Sequence, residues 1–262
     1  MTDSKDTLGD RLKEVEQAEA GRKAVKGKPI MARLDGRAFH TFTKGLNRPY
    51  DERMSALMIG TTKYLVEETH ALVGYTQSDE ISLCYYVEED NLGTYLFDGK
   101  FQKLTSVLAS LATSYFTKNL PGILPEKQHT YPTFDCRVWQ VEDLNEAYLN
   151  YLWRQQDAVK NAISMAAQAH FSSRKLHGVD GEGKKKMLEE IGHPFDDMPA
   201  FFKHGTFVHR VTKEVELTSD QMAKIPEAHR PTGPVLRSCT ETTFPELKLL
   251  VNPNQFLFGD KV

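Results

Sequence analysis

At 262 residues, with 40% hydrophobic and 26% charged residues, the chain has the make-up of an ordinary globular protein, enough for a sizeable core in one large domain or two small ones. A formal net charge of −3 excludes a global positive field, so a nucleic-acid partner has to be met by a local basic patch. Cys84, Cys136 and Cys239 show neither a zinc spacing nor a disulfide framework, no apolar run approaches a membrane span, and the N-terminus is charged without an apolar signal core, so the expected location is the reducing cytoplasm, with no membrane.

Leu8 to Lys26 is a charged, helix-prone lead-in whose thin apolar stripe (Leu8, Leu12, Val15) places it on the surface. Gly27-Lys28-Pro29 breaks it, and Pro29 to Leu34 follows as a short, mostly apolar buried strand closed by the turn signal Asp35-Gly36. Thr41 to Tyr50 is a loop with Lys44 and Arg48. Asp51 to His70 has helical periodicity through Met54, Leu57, Met58, Thr61, Tyr64, Leu65 and Glu68, with Asp51 as N-cap. Ala71 to Thr76 and Ile81 to Val87 read as strands joined by a tight hairpin connection, Gln77-Ser78-Asp79-Glu80. After a charged loop, Glu88 to Asn91, the stretch Gly99 to Asn119 reads as a second helix burying Leu104, Val107, Leu108, Leu111, Ala112 and Tyr115. Leu120 to Pro132, with Pro121 and Pro125, is loop-like. Thr133 to Val141 alternates as a strand with Phe134, Cys136, Val138 and Gln140 on one side.

Strand, helix, hairpin pair, helix, strand is the split βαβ order, so the expected class is α+β with a ferredoxin-like βαββαβ core. Helical and C-terminal additions follow. Leu144 to Phe171 is a long helical region containing Trp153-Arg-Gln-Gln-Asp157. Ser172 to Met187 is basic and glycine-bearing, and Met187 to Gly192 is a short helix. Ala200 to Leu217 contains Phe202-Lys-His-Gly-Thr206, then alternation suggesting strands around a turn. The remainder, including Gln255 to Gly259, carries little signal, and no repeat or low-complexity segment is present.

An aspartate ending a buried strand is costly unless something neutralises it, and the hairpin supplies a second. If the hairpin strands lie beside the first strand, Asp35 and Asp79 arrive at one edge of one sheet. Two carboxylates there, beside a glycine that lets a phosphate approach the backbone, suit Mg²⁺ with a nucleoside triphosphate. Singly, Asp35-Gly36 is a common turn and Ser78-Asp79-Glu80 an ordinary polar hairpin tip; the pairing carries the hypothesis. Backbone N–H groups exposed in the Gly36 turn, with Arg37 nearby, suit phosphate, while Phe39 reads equally as buried and His40 as a packing or hydrogen-bonding residue. Lys44 and Arg48 either neutralise a triphosphate or are solvated. Lys103 and Ser106, at i and i+3, share a helix face that either reaches a triphosphate or is plain surface. Arg154 and Asp157 make at least a salt bridge. Arg174, Lys175, Lys184, Lys185 and Lys186 either track an RNA backbone or form a solvated charged loop. No P-loop, Gly-x-Gly-x-x-Gly or His-Glu-x-x-His motif occurs, and nothing suggests a Cys or Ser nucleophile.

Taken together and in order, Arg33-Leu-Asp-Gly-Arg-Ala-Phe-His40, Gln77-Ser-Asp-Glu80, Phe134-Asp-Cys-Arg-Val138, Trp153-Arg-Gln-Gln-Asp157 and Lys203-His-Gly-Thr206 resemble the tRNA-histidine guanylyltransferase family, whose relatives include reverse-direction (3′-to-5′) RNA polymerases. The resemblance spans about residues 29 to 207. It implies a polymerase palm over residues 1–142, with 143–262 packed on it as one continuous unit. It implies a nucleotidyltransferase that adds nucleotides, GTP preferred, to the 5′ end of tRNA after activation by ATP or GTP. Two Mg²⁺ ions would be held by Asp35 and Asp79, with the Gly36 carbonyl as a further ligand. Nucleotide contacts would come from Asp35, Gly36, Arg37, Ala38, Phe39, His40, Ser78 and Asp79, with Lys44, Lys103 and Ser106 toward the triphosphate. RNA contacts are expected from Arg154, Asn161 and the Arg174–Lys186 cations, and a homo-oligomer, dimer or tetramer, is implied.

Members dedicated to tRNA-histidine carry His-Ile-Asn-Asn-Leu-Tyr-Asn after the Trp-Arg-Gln segment. Here Val159-Lys-Asn-Ala-Ile-Ser-Met165 stands there, and only Asn161 matches. This is similar to the guanylyltransferase-like branch outside the eukaryotic type, whose implied activity is templated repair of tRNAs shortened at the 5′ end. The rivals are a nucleotide cyclase on the same palm and a non-catalytic RNA-binding protein that kept the palm.

Overall fold

The computed structural model describes residues 7–261. The charged start at residues 1–6, part of the expected 1–142 unit, and Val262 of the 143–262 unit lie outside the described residues. In chain order the elements are α1 (Thr7–Ala20), β1 (Ile30–Gly36), α2 (Phe39–Phe42), α3 (Glu52–Thr69), β2 (Val73–Gln77), β3 (Glu80–Tyr85), α4 (Phe101–Ile123) and β4 (Phe134–Gln140). They continue with α5 (Leu144–His170), α6 (Ser173–Leu176), α7 (Gly181–Glu190), α8 (Ala200–His204), β5 (Thr206–Val215), α9 (Ser219–Ala223), β6 (Val235–Thr243) and α10 (Pro253–Phe258).

All six strands form one antiparallel sheet in the order β4-β1-β3-β2-β5-β6. Its first four strands are the expected ferredoxin-like core, and β5 and β6 extend it past β2. Because β1 is central, it is covered on both sides. Ile30, Ala32 and Leu34 join the core under α3 and α4, with Leu57, Leu65, Leu104 and Phe116. Met31 points to the other face, where Val73, Tyr75, Tyr151 of α5 and Leu257 of α10 pack. Burial on both faces is why this strand reads as mostly apolar at successive positions rather than alternating, with Arg33 the one charged residue between Ile30 and Leu34. Among the described residues no helix is long and apolar enough to cross a membrane.

Several boundaries differ from the sequence reading. α1 ends at Ala20, and the chain beyond it pairs with the entry to α4: the Ala24 N–H donates to the Gly99 carbonyl at 2.9 Å and the Phe101 N–H to the Arg22 carbonyl at 3.1 Å. α3 is capped by Asp51 as expected, but it also buries Thr62, Val66 and Thr69, while Tyr64 is half-buried and Glu68 exposed. Gly74 explains the wider face, since a Cβ there would lie 2.7 Å from Thr62 and 2.8 Å from Val66. β3 stops at Tyr85, and the Val87 N–H turns instead to the Tyr95 hydroxyl at 3.3 Å. α4 runs through Pro121, and its buried line is Leu104, Leu108, Ala112, Phe116 and Leu120 rather than Val107, Leu111 and Tyr115. A proline in the last turn removes one ladder bond, and burial of Leu120 and Leu124 outweighs that loss.

Lys184 to Lys186 stand on α7, capped by Asp180, not in a loop. After Gly205 there is one long strand, not two around a turn; its partner β6 lies in the stretch that carried little signal. β6 is an edge strand of half-exposed polar residues, so there is no hydrophobic alternation to read.

Candidate active site

The site is built where β1 ends. Asp35 stands in register with Glu80 of β3 and Asp135 of β4. The Gly36 N–H donates to the Asp79 carbonyl at 3.1 Å, tying the first turn to the hairpin tip. Gly36 has to be glycine because a Cβ would sit 2.4 Å from the Phe39 ring. Ala38 (φ 57°) and Ser78 (φ 55°) take left-handed conformations, the small strain each tight bend requires. Burial pushes the Asp79 carboxyl above its usual range, the Ser78 hydroxyl, which donates to it at 3.0 Å, partly opposes this, and the charges of Asp35 and Glu80 add to the rise. The charges that act on Asp79 are thus those of neighbouring carboxylates and not of a cation.

The donor set fits Mg²⁺. It offers hard carboxylate oxygens at two strand tips, and Mg²⁺ characteristically takes one or two carboxylates and completes its shell with water and substrate phosphates. Among the described residues no three His, Cys, Asp or Glu side chains converge into an all-protein cage, which agrees with a site finished by substrate.

Two hollows flank the hairpin tip and share Gln77, Ser78, Asp79, Met165 and Gln168. One, about 420 Å³, has aromatic walls in Phe39, Tyr50, Phe201 and Phe202 and cations in Lys44 and Arg48. The other, about 300 Å³, is polar and holds Asp35, Glu80, Arg154, Asn161 and Ser164. Asp79 therefore stands between an apolar shelter and a charged cleft.

Of the candidate residues, Asp35, Phe39, His40, Lys44, Ser78, Asp79, Arg154 and Asn161 line one hollow or the other. Phe39 is foremost a core residue, 2% exposed, with ring centroids of Phe42, Phe116 and Phe134 at 5.0, 5.5 and 5.1 Å. His40 and Lys44 are exposed, and His40 Nε2 pairs with the Thr41 hydroxyl at 3.0 Å. The backbone N–H groups of Gly36 and Arg37 are not free as expected: the sheet engages the first, and the second donates to the Thr133 carbonyl at 2.9 Å.

Lys103 and Ser106 lie elsewhere. Lys103 borders a separate hollow with Lys13 and Lys100, its ammonium 4.9 Å from the Phe97 ring, and Ser106 is exposed, donating to the Lys103 carbonyl at 3.2 Å. An i, i+3 spacing establishes a shared helix face but not which way that face points. Arg174, Lys175 and Lys186 are exposed, Lys184 donates to Ser164 Oγ at 3.2 Å, and Lys185 pairs with Glu182 at 3.5 Å.

Two motifs prove to be braces. Gln155, 4% exposed, donates to the His204 and Pro245 carbonyls at 3.1 and 2.8 Å and accepts from the Leu247 N–H at 2.7 Å. Gly205 (φ 76°) turns α8 into β5, where a Cβ would lie 2.6 Å from the Tyr75 ring. Sequence reasoning passed over Glu80, Ser164 and Gln168 as cleft residues. Arg154, Asn161 and Gln168 recur every seventh position of α5, a stripe that helical periodicity could have exposed.

A family model described as "Thg1: tRNAHis guanylyltransferase" matches residues 10–142. The tRNA(His) guanylyltransferase of Schizosaccharomyces pombe is 31% identical over 211 residues, covering 75% of this chain and 78% of the relative. Among solved structures, a bacterial tRNA(His) guanylyltransferase (Thg1)-like protein in complex with ATP superimposes with a TM-score of 0.79 at 30% identity, over 97% of this chain and 100% of that one. The GTP complex of a bacterial Thg1-like protein superimposes with a TM-score of 0.72 at 30% identity, over 93% and 94%.

Proposed function

The chain belongs to the tRNA(His) guanylyltransferase family, and on that footing we propose that it is a tRNA 5′-end nucleotidyltransferase working in the 3′-to-5′ direction, with GTP preferred for addition and ATP or GTP for activation. The observation that carries the reading is the meeting of Asp35 and Asp79 at neighbouring strand tips, tied by the Gly36 N–H to the Asp79 carbonyl. Two Mg²⁺ ions held by these carboxylates would acidify the attacking hydroxyl and neutralise the leaving phosphate. The aromatic hollow gives a nucleobase shelter from water. Lys44 and Arg48 at its edge offset triphosphate charge.

Activation joins a 5′-monophosphate oxygen of the RNA to the α-phosphate of ATP or GTP and expels pyrophosphate. Addition then joins the 3′-OH of GTP to the 5′ phosphate of the RNA and expels the activating nucleoside monophosphate; the hydroxyl proton goes to solvent. Positioning and charge neutralisation supply most of the catalysis, so a dense set of acids and bases is not required. The replaced segment Val159–Met165 and the likeness to bacterial Thg1-like proteins support templated repair of 5′-shortened tRNAs over strict single guanylate addition. The reading includes a cytoplasmic homo-oligomer, dimer or tetramer.

The test offers full-length and 5′-truncated, 5′-monophosphorylated tRNAs with labelled nucleotides and sequences the new 5′ ends. The wild type extends the truncated tRNA to match the opposing strand, GTP alone gives no cyclic product, and Asp79→Ala adds nothing while its circular dichroism is unchanged. Wild-type labelling by Asp79→Ala overturns the assignment.

A further inference from the structure

Asp35 and Glu80 are direct cross-strand partners. Their side chains therefore leave the same sheet face with Cβ atoms roughly 5 Å apart, a placement unfavourable for two like charges. Glu80 also follows Asp79 in the chain and lines the same cleft. By position it is a third carboxylate for any cation bound there.

The fold turns it away. Glu80 Oε2 accepts a hydrogen bond from Arg154 Nη2 of α5. The same nitrogen reaches Asp157 Oδ2 at 3.4 Å, and that oxygen takes Asn161 Nδ2 at 3.4 Å. The Arg154 side chain is only 12% exposed, and its guanidinium lies 4.7 Å from the Trp153 ring. Its Nε is buried without a partner among the described residues, so the fold leaves one donor unsatisfied while engaging Nη2 with Glu80. Consistently, no three acidic, His or Cys side chains converge among the described residues.

We propose that Arg154 is a positioning residue that draws Glu80 off the divalent-cation site, so that the protein contributes two carboxylates there rather than three. The inference rests on the reading of Asp35 and Asp79 as cation ligands. With two carboxylates, the ions keep positive charge and open coordination positions for substrate phosphates. A third would tighten the ions onto the protein and spend the charge that the phosphates need. A plain brace between α5 and β3 would change stability alone; a device that sets ligand charge changes ion affinity.

The experiment titrates Mn²⁺ into the full-length, nucleotide-free protein and reads free ion by electron paramagnetic resonance. Binding is lost in Asp79→Asn and unchanged in Glu80→Gln. It tightens by roughly an order of magnitude in Arg154→Gln as the freed carboxylate adds its charge. It returns to the wild-type value in Arg154→Gln/Glu80→Gln, and the Mg²⁺ optimum for nucleotide addition by Arg154→Gln falls in parallel. Unchanged or weaker Mn²⁺ binding by folded Arg154→Gln overturns the inference and leaves the cation site standing. Loss of binding in Glu80→Gln overturns it too, by making Glu80 a ligand, and decides the matter even if Arg154→Gln does not fold. Wild-type binding by Asp79→Asn removes the cation reading itself, and the inference with it.

Discussion

The β1–β3 end of the sheet and the β5–β6 arm share one hydrogen-bond ladder and differ in what covers them. Around Asp35 the strands are central, with α3 and α4 on one face and α5 on the other. In the arm, β5 pairs with β2 only from Thr206 to His209, and from Arg210 onward it has β6 alone. Leu236 there is 71% exposed, and the Lys213–Glu241 pair stands in solvent. A strand gripped on both faces can hold carboxylates in positions they would not choose, which is what a cation site needs. A strand with little cover carries charge cheaply but fixes it loosely.

The largest expected effect breaks the gripped end chemically while sparing it structurally. Asp79→Asn lowers nucleotide addition by at least about 10²-fold, the scale for losing one preorganised electrostatic group. Burial raises the Asp79 carboxyl above 3.8, so the folded chain holds a proton that the unfolded chain releases. Metal-free stability therefore falls as pH rises from 3.8 through the raised value and stays lower above it. Asp79→Asn removes that penalty. The metal-free variant should melt no lower than wild type at pH 7, and a lower melting temperature in chelator refutes this.

Next comes the junction between the two regions. Gly205→Ala puts a Cβ against Tyr75 in a backbone conformation with φ 76°, costing about 3 kcal/mol. Thermal denaturation should show a loss of roughly 5–10 °C. Smaller again is the cap of α3. Asp51 is held down to about 2, first by the Arg53 side-chain hydrogen bond. Its contribution is present above 3.8 and lost as pH falls toward about 2. Asp51→Ala therefore costs about 1–2 kcal/mol at pH 7, discounted because Arg53 is partly exposed, and the gap to wild type closes over that acid window in urea titrations. Smallest is the arm: Lys213→Ala should leave the urea midpoint almost where it is in the wild type, and indistinguishable from it in high salt. A larger loss would show the arm to be gripped after all.

The legible parts of this chain were those whose burial is simple. β1, α3, the hairpin and β4 announced themselves through apolar runs and helical periods, and their order already implied that Asp35 and Asp79 meet. The roles of Gln155, Gly205 and Phe39 were not legible, because a motif records that a residue type is needed and not whether it touches ligand or holds the fold. The placement of Lys103 and Ser106 was not legible for a related reason, since a shared helix face has no direction until the helix is docked.

Local pattern alone therefore determined the elements of the core, their order and the two acidic turns, because period and turn chemistry depend on neighbours along the chain. The tertiary structure decided that Arg154 engages Glu80, how β6 joins the sheet, and that two hollows flank Asp79. Those outcomes arise from contacts between residues far apart in the chain, such as Glu80 with Arg154, for which neighbouring sequence holds no signal.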